Sequence, residues 1–195
     1  YIESNTMDSS DIVIHGQDIT SLSQNVRNLL DNILSSSERI DRTISSIRDF
    51  VRIDSTEKMT NCNIVSIIKS SLLLCDDIIN KSTSDFIVQY DQDIPHIMAY
   101  LRLVQQAIVN VITNACEALT ERSQKIVLSV QYRKETNSVL LRITDEGQGI
   151  APDTLSQLYI PFFTTKRNRG NPGLGLSVTQ SIMNKHKGSI SVESK

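Results

Sequence analysis

Glycine is scarce in this chain, with seven among 195 residues, and five of the seven lie between Asp145 and Leu176. Tryptophan is absent and there are only four prolines. No apolar run is long enough to cross a bilayer, and no signal-peptide pattern is present, which excludes a membrane span within this stretch but not elsewhere in a parent protein. The formal net charge of −2 removes the electrostatic case for binding nucleic acid or an anionic membrane. The three cysteines (Cys62, Cys75, Cys116) are scattered and odd in number, so they form neither a disulfide framework nor a metal-ligand spacing and fit a reducing cytoplasm. His15, His96 and His186 are equally dispersed and give no zinc site. No internal repeat or long low-complexity tract occurs.

What is present is enough apolar sequence (39%) for a real core. Residues 1–19 are polar without a clear period and read as a loop. From Thr20 a helical period takes over: Leu22, Val26, Leu29, Ile33, Ser36, Ile40, Ile44, Ile47 and Val51 are spaced by threes and fours, with one polar hole and one stutter. Leu30 and Leu34 widen this seam, which predicts packing in a helical bundle or dimer. "DSTEKMT" (54–60) reads as a linker. The expected order beyond it is a helix from Asn63 to about Ile79, strands at Phe86–Tyr90 and Ile97–Tyr100, and a helix from Leu101 to about Glu121. Strands at Lys125–Lys134 and Val139–Thr144 around the turn "ETNS" follow, then the glycine-rich stretch, a helix at Leu174–Lys187 and a strand at Ser189–Val192. Helices and strands mix without regular alternation, which predicts an α+β fold with helices on one face of a sheet.

Three stretches offer chemistry. In "LRLVQQAIVNVITNACEAL", Gln106, Asn110 and Asn114 recur every four residues and share one helix face, beside apolar Val104, Ile108, Val111, Ile112, Ala115 and Leu119. Such amides either face water and cap a loop, or supply hard, neutral oxygen ligands suited to magnesium beside phosphate. "DEGQG" follows the strand "VLLRIT", placing a carboxylate at a strand end where glycines permit a tight turn and the close approach of a flat ligand; ordinary turn chemistry gives the same letters. In "NPGLGLSV", Gly173 and Gly175 open a helix whose first N–H groups and dipole favour an anion, unless they are a plain helix start. Between the last two stretches lies "PFFTTKRNRG", with an aromatic pair that could wedge the segment onto the core. Its Lys166, Arg167 and Arg169 either reach phosphates or are solvated.

In this order, the motifs resemble the ATP-binding domain of sensor histidine kinases, within the wider group that includes gyrase, heat-shock chaperone and mismatch-repair ATPases. "NVITNACEAL" is similar to the N box, "DEGQGI" to the G1 box, "PFFTTK" to the F box and "GLGL" to the G2 box. "RIDRTISSIRDFVR" resembles the end of the family's dimerisation hairpin, and "KHKGSISVES" the stretch after the G2 helix. The resemblance implies a two-layer α/β sandwich of the Bergerat ATP-binding type, preceded by a long helix from the hairpin. The implied domains are residues 1–54, part of the dimerisation and phosphoacceptor region, and 61–195, the ATP-binding domain, ending before its last strand. The implied ligands are ATP and Mg²⁺. Asp145 would bind the adenine amino group, and Gly147 and Gly149 would shape its pocket. Asn114, with Asn110, would hold Mg²⁺. Lys166 would approach the phosphates, and Gly173, Leu174, Gly175 and Leu176 would offer them backbone N–H groups. Ile150, Phe163 and Thr165 complete the implied nucleotide-binding set.

The implied activity is that of an ATP-dependent protein-histidine kinase, passing the γ-phosphate to a histidine and then to a response regulator, in a homodimer joined through the N-terminal helix. No side chain of this domain is implied as a covalent catalyst. The resemblance places the domain in the cytoplasm, as a soluble protein or as part of a membrane-bound sensor. His15, in "HGQDITSL", lacks the adjacent acid and following proline of the family's acceptor motif, so the acceptor is expected before Tyr1. Asn171 stands where the G2 box often has its first glycine, and Tyr100 where an acid is common. The alternatives are a regulatory ATP-binding module without phosphotransfer, a serine kinase that restrains sigma factors, and a gyrase- or chaperone-type ATPase. The long helical seam disfavours the serine kinase. The ATPase would need a glutamate base where this chain has Asn110.

Overall fold

The computed structural model describes residues 13–14, 17–51, 58–165 and 172–194. The chain divides into two compact units, Tyr1–Ser45 and Ser46–Lys195. In the first, β1 (Val13–Ile14) pairs antiparallel with β2 (Gln17–Asp18) where the sequence predicts a loop; α1 (Ile19–Val51) begins in the first unit and ends in the second. The 33 residues of α1 make a rod about 50 Å long. Val26, Leu29, Leu30, Ile33, Leu34, Ile40 and Ile44 all lie exposed along it. The polar hole in this seam satisfies itself, since Ser36 Oγ donates to the Asn32 carbonyl at 2.7 Å. The side chains of Leu22, Ile47 and Val51, and the whole of His15, lie outside the described residues.

The second unit is the α+β domain. β3 (Thr60–Cys62), which takes in the last residue of the expected linker, pairs antiparallel with β5 (Ile97–Ala99). α2 (Ile64–Ser82) starts where it does because the Asn63 side chain accepts from the N–H groups of Val65 and Ser66 at 2.9 and 3.3 Å. Ile64, Ile67, Ile68, Ser71, Cys75 and Ile79 are its buried stripe, and buried Ser71 bonds back to the Ile67 carbonyl at 2.9 Å. β4 (Asp85–Tyr90) lies parallel to β6 (Lys125–Arg133), and β7 (Ser138–Asp145) antiparallel to it, so the sheet order is β4-β6-β7. Asn137 takes the left-handed conformation the hairpin requires (φ 47°), and its side chain accepts from Tyr132 Oη at 2.9 Å.

Ile126, Leu128 and Val130 alternate along β6 as its buried face, in one core with Ile67 and Ile68 of α2 and Ile108, Ile112 and Ala115 of α3 (Leu101–Ala118). This is the expected layer of helices on one face of a sheet. α3 ends three residues before the expected Glu121. Its successors are drawn out of the helix because the Gln124 side chain takes the N–H groups of Thr120 and Glu121. α4 (Pro152–Leu155) is a single turn opened by a proline at its first position, in a stretch read as loop. α5 (Gly175–Lys185) packs on α3 through a second cluster of Leu103, Ala107, Leu174, Val178 and Ile182. His186, just past α5, accepts from the Tyr100 N–H through Nε2 at 3.0 Å, while Nδ1 sits 2.7 Å from the Ile182 carbonyl. This ring joins the start of α3 to the end of α5.

The expected strand at Ser189–Val192 is not one. Its backbone makes no ladder with any strand among the described residues and is met instead by a side chain, Tyr159 Oη donating to the Ile190 carbonyl at 3.4 Å.

α5 closes with the Gly188 N–H on the Met183 carbonyl at 2.9 Å, which forces Lys187 into the left-handed region (φ 56°). Lys187→Gly should therefore raise stability by about 1 kcal/mol in urea unfolding. Burial pushes the Cys116 thiol up from 9.0 to about 11, and the Cys75 thiol upward too. Below pH 9 both the folded and the unfolded chain keep these thiols protonated. Between pH 9 and 11 the unfolded chain ionises first, so stability should fall as pH rises through that window. The fall should be shallower in the Cys75→Ala/Cys116→Ala variant.

Candidate functional site

The polar face of α3 organises the site. Positions 106, 110, 114 and 118 are four apart and lie one above another. At 110, the Asn amide Nδ2 donates to the Gly175 carbonyl at 3.2 Å and approaches Thr179 Oγ1 at 3.5 Å. Thr179 Oγ1 itself donates to the Gly175 carbonyl at 2.8 Å. At 118, the Ala carbonyl accepts from the Gln148 N–H at 3.1 Å. The start of α5 and the loop after β7 are thus fastened to two points on one face of α3, two turns apart, with half-buried Asn114 midway between them. Asn110 is also half-buried, and among the described residues its amide oxygen meets no donor.

The β7 loop is shaped by its first residues. Gly147 N–H donates to Asp145 Oδ1 at 3.0 Å, a turn that holds an exposed carboxylate at the strand end. Gly147 must be glycine, because a Cβ there would stand 2.5 Å from the Ala118 carbonyl oxygen. Gly149 takes φ 69°, and Ile150 N–H donates to Ser194 Oγ at 2.8 Å. Among the described residues the second oxygen of Asp145 meets no donor. It remains available for a ligand's N–H.

Gly173 closes the other side. It has φ 73°, its carbonyl accepts from the Phe162 N–H at 3.0 Å, and a Cβ would stand 2.5 Å from the Phe163 carbonyl oxygen. This clasp joins the two ends of the 164–172 segment. Gly175 is different: a Cβ there would meet Asn110 at no less than 3.9 Å, ordinary contact distance. Leu174 is buried in the α3–α5 cluster, and among the described residues no side chain caps the first N–H groups of α5. Those groups have no acceptor inside the helix and carry its positive dipole end.

The structure therefore brings together Asn110, Asn114, Gly147, Gly173 and Gly175, with Asp145, Gly149 and Ile150 on the same loop as Gly147 and Leu174 and Leu176 beside Gly175. Phe163 is half-buried on the clasp. Phe162, its expected partner in a latch, is instead 58% exposed with φ 68°, because the clasp uses its N–H and turns its side chain outward. Thr165 is exposed. Lys166, with Arg167 and Arg169, lies outside the described residues. Sequence reasoning missed Thr179, Gln124 and Ser194. Thr179 was discoverable, four residues after Gly175 on the same helix face. Nothing in the sequence marks the other two.

These contacts make a contrast among the glycines. Gly147→Ala and Gly173→Ala should each cost about 1–3 kcal/mol in urea unfolding, through backbone overlap. Gly175→Ala should leave stability unchanged or raise it by up to about 1 kcal/mol.

Residues 100–195 match the family described as "Histidine kinase-, DNA gyrase B-, and HSP90-like ATPase". The sensor histidine kinase ZraS of Salmonella typhimurium is 30% identical over 158 residues, covering 80% of this chain and 33% of its own length. The chain spans a third or less of the curated relatives first matched. Among solved structures, the catalytic domain of histidine kinase ThkA is 27% identical, with a TM-score of 0.59 over 66% of this chain and 82% of that one. ThkA in complex with the response regulator protein TrrA is 25% identical, with a TM-score of 0.61 over 88% of this chain and 47% of that one. The boxes on α3, on the β7 loop and before α5 are held in one site on the fold these proteins share, and residues 100–195 belong to this ATPase family, as an ATP-binding catalytic domain of the sensor histidine kinase type.

Proposed function

We propose that the chain is the catalytic core of a sensor histidine kinase, which transfers the ATP γ-phosphate to a histidine for relay to a response regulator. The observation that carries this reading is the fastening of two loops to one face of α3, with Asn114 between them. Asp145 would accept from the adenine amino group with its second oxygen, the Gly147–Ile150 turn lining the base. The N–H groups from Gly173 to Leu176 would meet the phosphates at the dipole end of α5, with Lys166 adding charge. Phe163 and Thr165 would border the nucleotide where the clasp begins.

Mg²⁺ fits the donor chemistry only in company with the nucleotide. The polar face of α3 offers neutral amide oxygens at Asn114 and Asn110, which would hold the ion together with phosphate oxygens and water. Among the described residues no group of three or more His, Cys, Asp or Glu could hold a metal unaided. When bound, the ion would neutralise phosphate charge.

The work left to this domain is orientation. The bond between the γ-phosphorus and the bridging oxygen breaks, a bond to an imidazole nitrogen forms, the imidazole loses its N–H proton, and ADP leaves. Such transfer needs positioning and charge balance rather than a covalent group on the domain. Asn110 also argues against gyrase-type hydrolysis. Its amide is a strut that donates to Gly175, and an amide cannot take a proton from water.

Residues 1–54 would belong to the dimerisation region and 61–195 to the ATP-binding domain. The exposed apolar seam of α1 supports homodimerisation, since about seven large side chains in water mark an interface. The acceptor histidine would lie before Tyr1, and a receiver domain would be the partner, as TrrA is for ThkA. Among the described residues no helix is long and apolar enough to cross a membrane, and dependence on ATP would put the domain in the cytoplasm.

Given γ-labelled ATP, Mg²⁺ and a separately supplied acceptor hairpin, the chain should place acid-labile label on the hairpin histidine. Asn114→Ala should slow this by at least about tenfold. A folded chain that leaves the hairpin unlabelled under saturating ATP contradicts the proposal.

A further inference from the structure

The peptide unit between Glu146 and Gly147 is held at both ends. Its N–H donates to Asp145 Oδ1 at 3.0 Å, and its C=O accepts from Gln124 Nε2 at 2.6 Å. Rotation of that peptide about its flanking bonds would carry the N–H away from the carboxylate. The orientation of Asp145 is therefore tied to a side chain 21 residues earlier, on a different loop.

Gln124 is itself well anchored. Its Oε1 accepts from the Thr120 N–H at 2.7 Å, the Glu121 N–H at 3.0 Å and Thr120 Oγ1 at 3.2 Å. Its main-chain N–H donates to the Glu121 carbonyl at 3.2 Å, and its carbonyl accepts from Thr83 Oγ1. A glutamine amide carries two kinds of hydrogen-bonding end, and here the two serve different masters. The acceptor end closes the loop after α3. The donor end clamps the peptide that sets Asp145. Beside it, Glu146 extends the β6–β7 ladder: its N–H donates to the Lys125 carbonyl at 3.1 Å, and its Oε2 accepts from the Lys125 N–H at 2.9 Å. The peptide thus sits between a fixed ladder and a fixed amide. A polarised C=O also strengthens the N–H of the same unit as a donor.

We propose that Gln124 is a positioning residue for base selection: it orients Asp145 toward the amino group of the adenine ring by clamping the Glu146–Gly147 peptide. The inference rests on the role proposed above for Asp145. The chemistry that reads out this orientation is the ring's 6-position. Adenine presents an N–H donor there, and hypoxanthine presents a carbonyl oxygen, which a carboxylate repels. A well-aimed carboxylate discriminates strongly between the two, and a loosely held one discriminates less.

The test is calorimetric titration of the whole chain with ADP and with inosine diphosphate, both with Mg²⁺. Wild type should prefer ADP by at least about tenfold, and Asp145→Ala should abolish the preference. Gln124→Ala should lower the preference by about three- to tenfold, the value of one well-formed hydrogen bond. Gln124→Glu keeps an acceptor for Thr120 and Glu121 but sets an oxygen against the Glu146 carbonyl, so it should lower the preference as much while the loop after α3 keeps its closure. Should Gln124→Ala fail to fold, the Glu variant decides. If Asp145→Ala abolishes the preference and both Gln124 variants keep it, Gln124 is only a loop residue and the inference is overturned. If Asp145→Ala keeps the preference, the role of Asp145 fails, and the inference falls with it.

Discussion

Helix α3 is buried along one face and polar along the other, and both loops of the site are fastened to the polar face. The Asn110 amide on the Gly175 carbonyl and the Ala118 carbonyl on the Gln148 N–H are its two fixed points. The apolar face, through Ile108, Ile112 and Ala115, locks the helix against α2 and β6. A helix so packed has little freedom to rotate, because the interior is close-packed on one side. The spacing between the two loops is then set by helical rise alone. Eight residues separate the fixed points, a span of about 12 Å, and Asn114 occupies its middle. The rest of the site is built on this constraint.

Glycine is used where backbone meets backbone. Gly147 lies against the end of α3 and Gly173 against the Phe163 carbonyl, and in neither place is there room for one more carbon. Gly175 has such room, so contacts among the described residues do not explain it; under the proposed function, space for a phosphate group beside the helix start would. Elsewhere the chain accepts strain instead. Lys187 and Phe162 both sit in the left-handed region without being glycine. At Phe162 the strained backbone lies in the clasp that joins the ends of 164–172, so local cost falls at the edge of the candidate site.

Much of this was legible in the sequence, for identifiable reasons. α1, α2 and α3 are long and free of glycine and proline; of the apolar residues read on α3, Ile108, Ile112 and Ala115 are buried, and the described apolar residues of the seam read on α1 lie exposed. β6 and β7 alternate around an obvious turn. The order of the four boxes led to the ATP-binding family. What was not legible depends on contacts distant in sequence. β3 is three residues long and exists because β5 lies beside it. The end of α3 is decided by the Gln124 side chain, not by propensity at Glu121. Ser189–Val192 has strand-like residues but no pairing partner among the described residues, and pairing is what makes a strand. Ser194 reaches the Ile150 N–H across 44 residues, a link no local pattern encodes.

In the proposed function, one face of α3 holds the ends of a magnesium–nucleotide site together. The most direct test of this arrangement is calorimetric titration with a non-hydrolysable ATP analogue, with and without Mg²⁺, for wild type, Asp145→Asn and Asn114→Ala. Wild type should bind tightly, and only with Mg²⁺ present. Asp145→Asn should bind weakly in either condition. Asn114→Ala should bind with the Mg²⁺ dependence removed. A folded Asn114→Ala variant that keeps the full Mg²⁺ dependence, or a folded wild-type chain that binds no nucleotide, would contradict it.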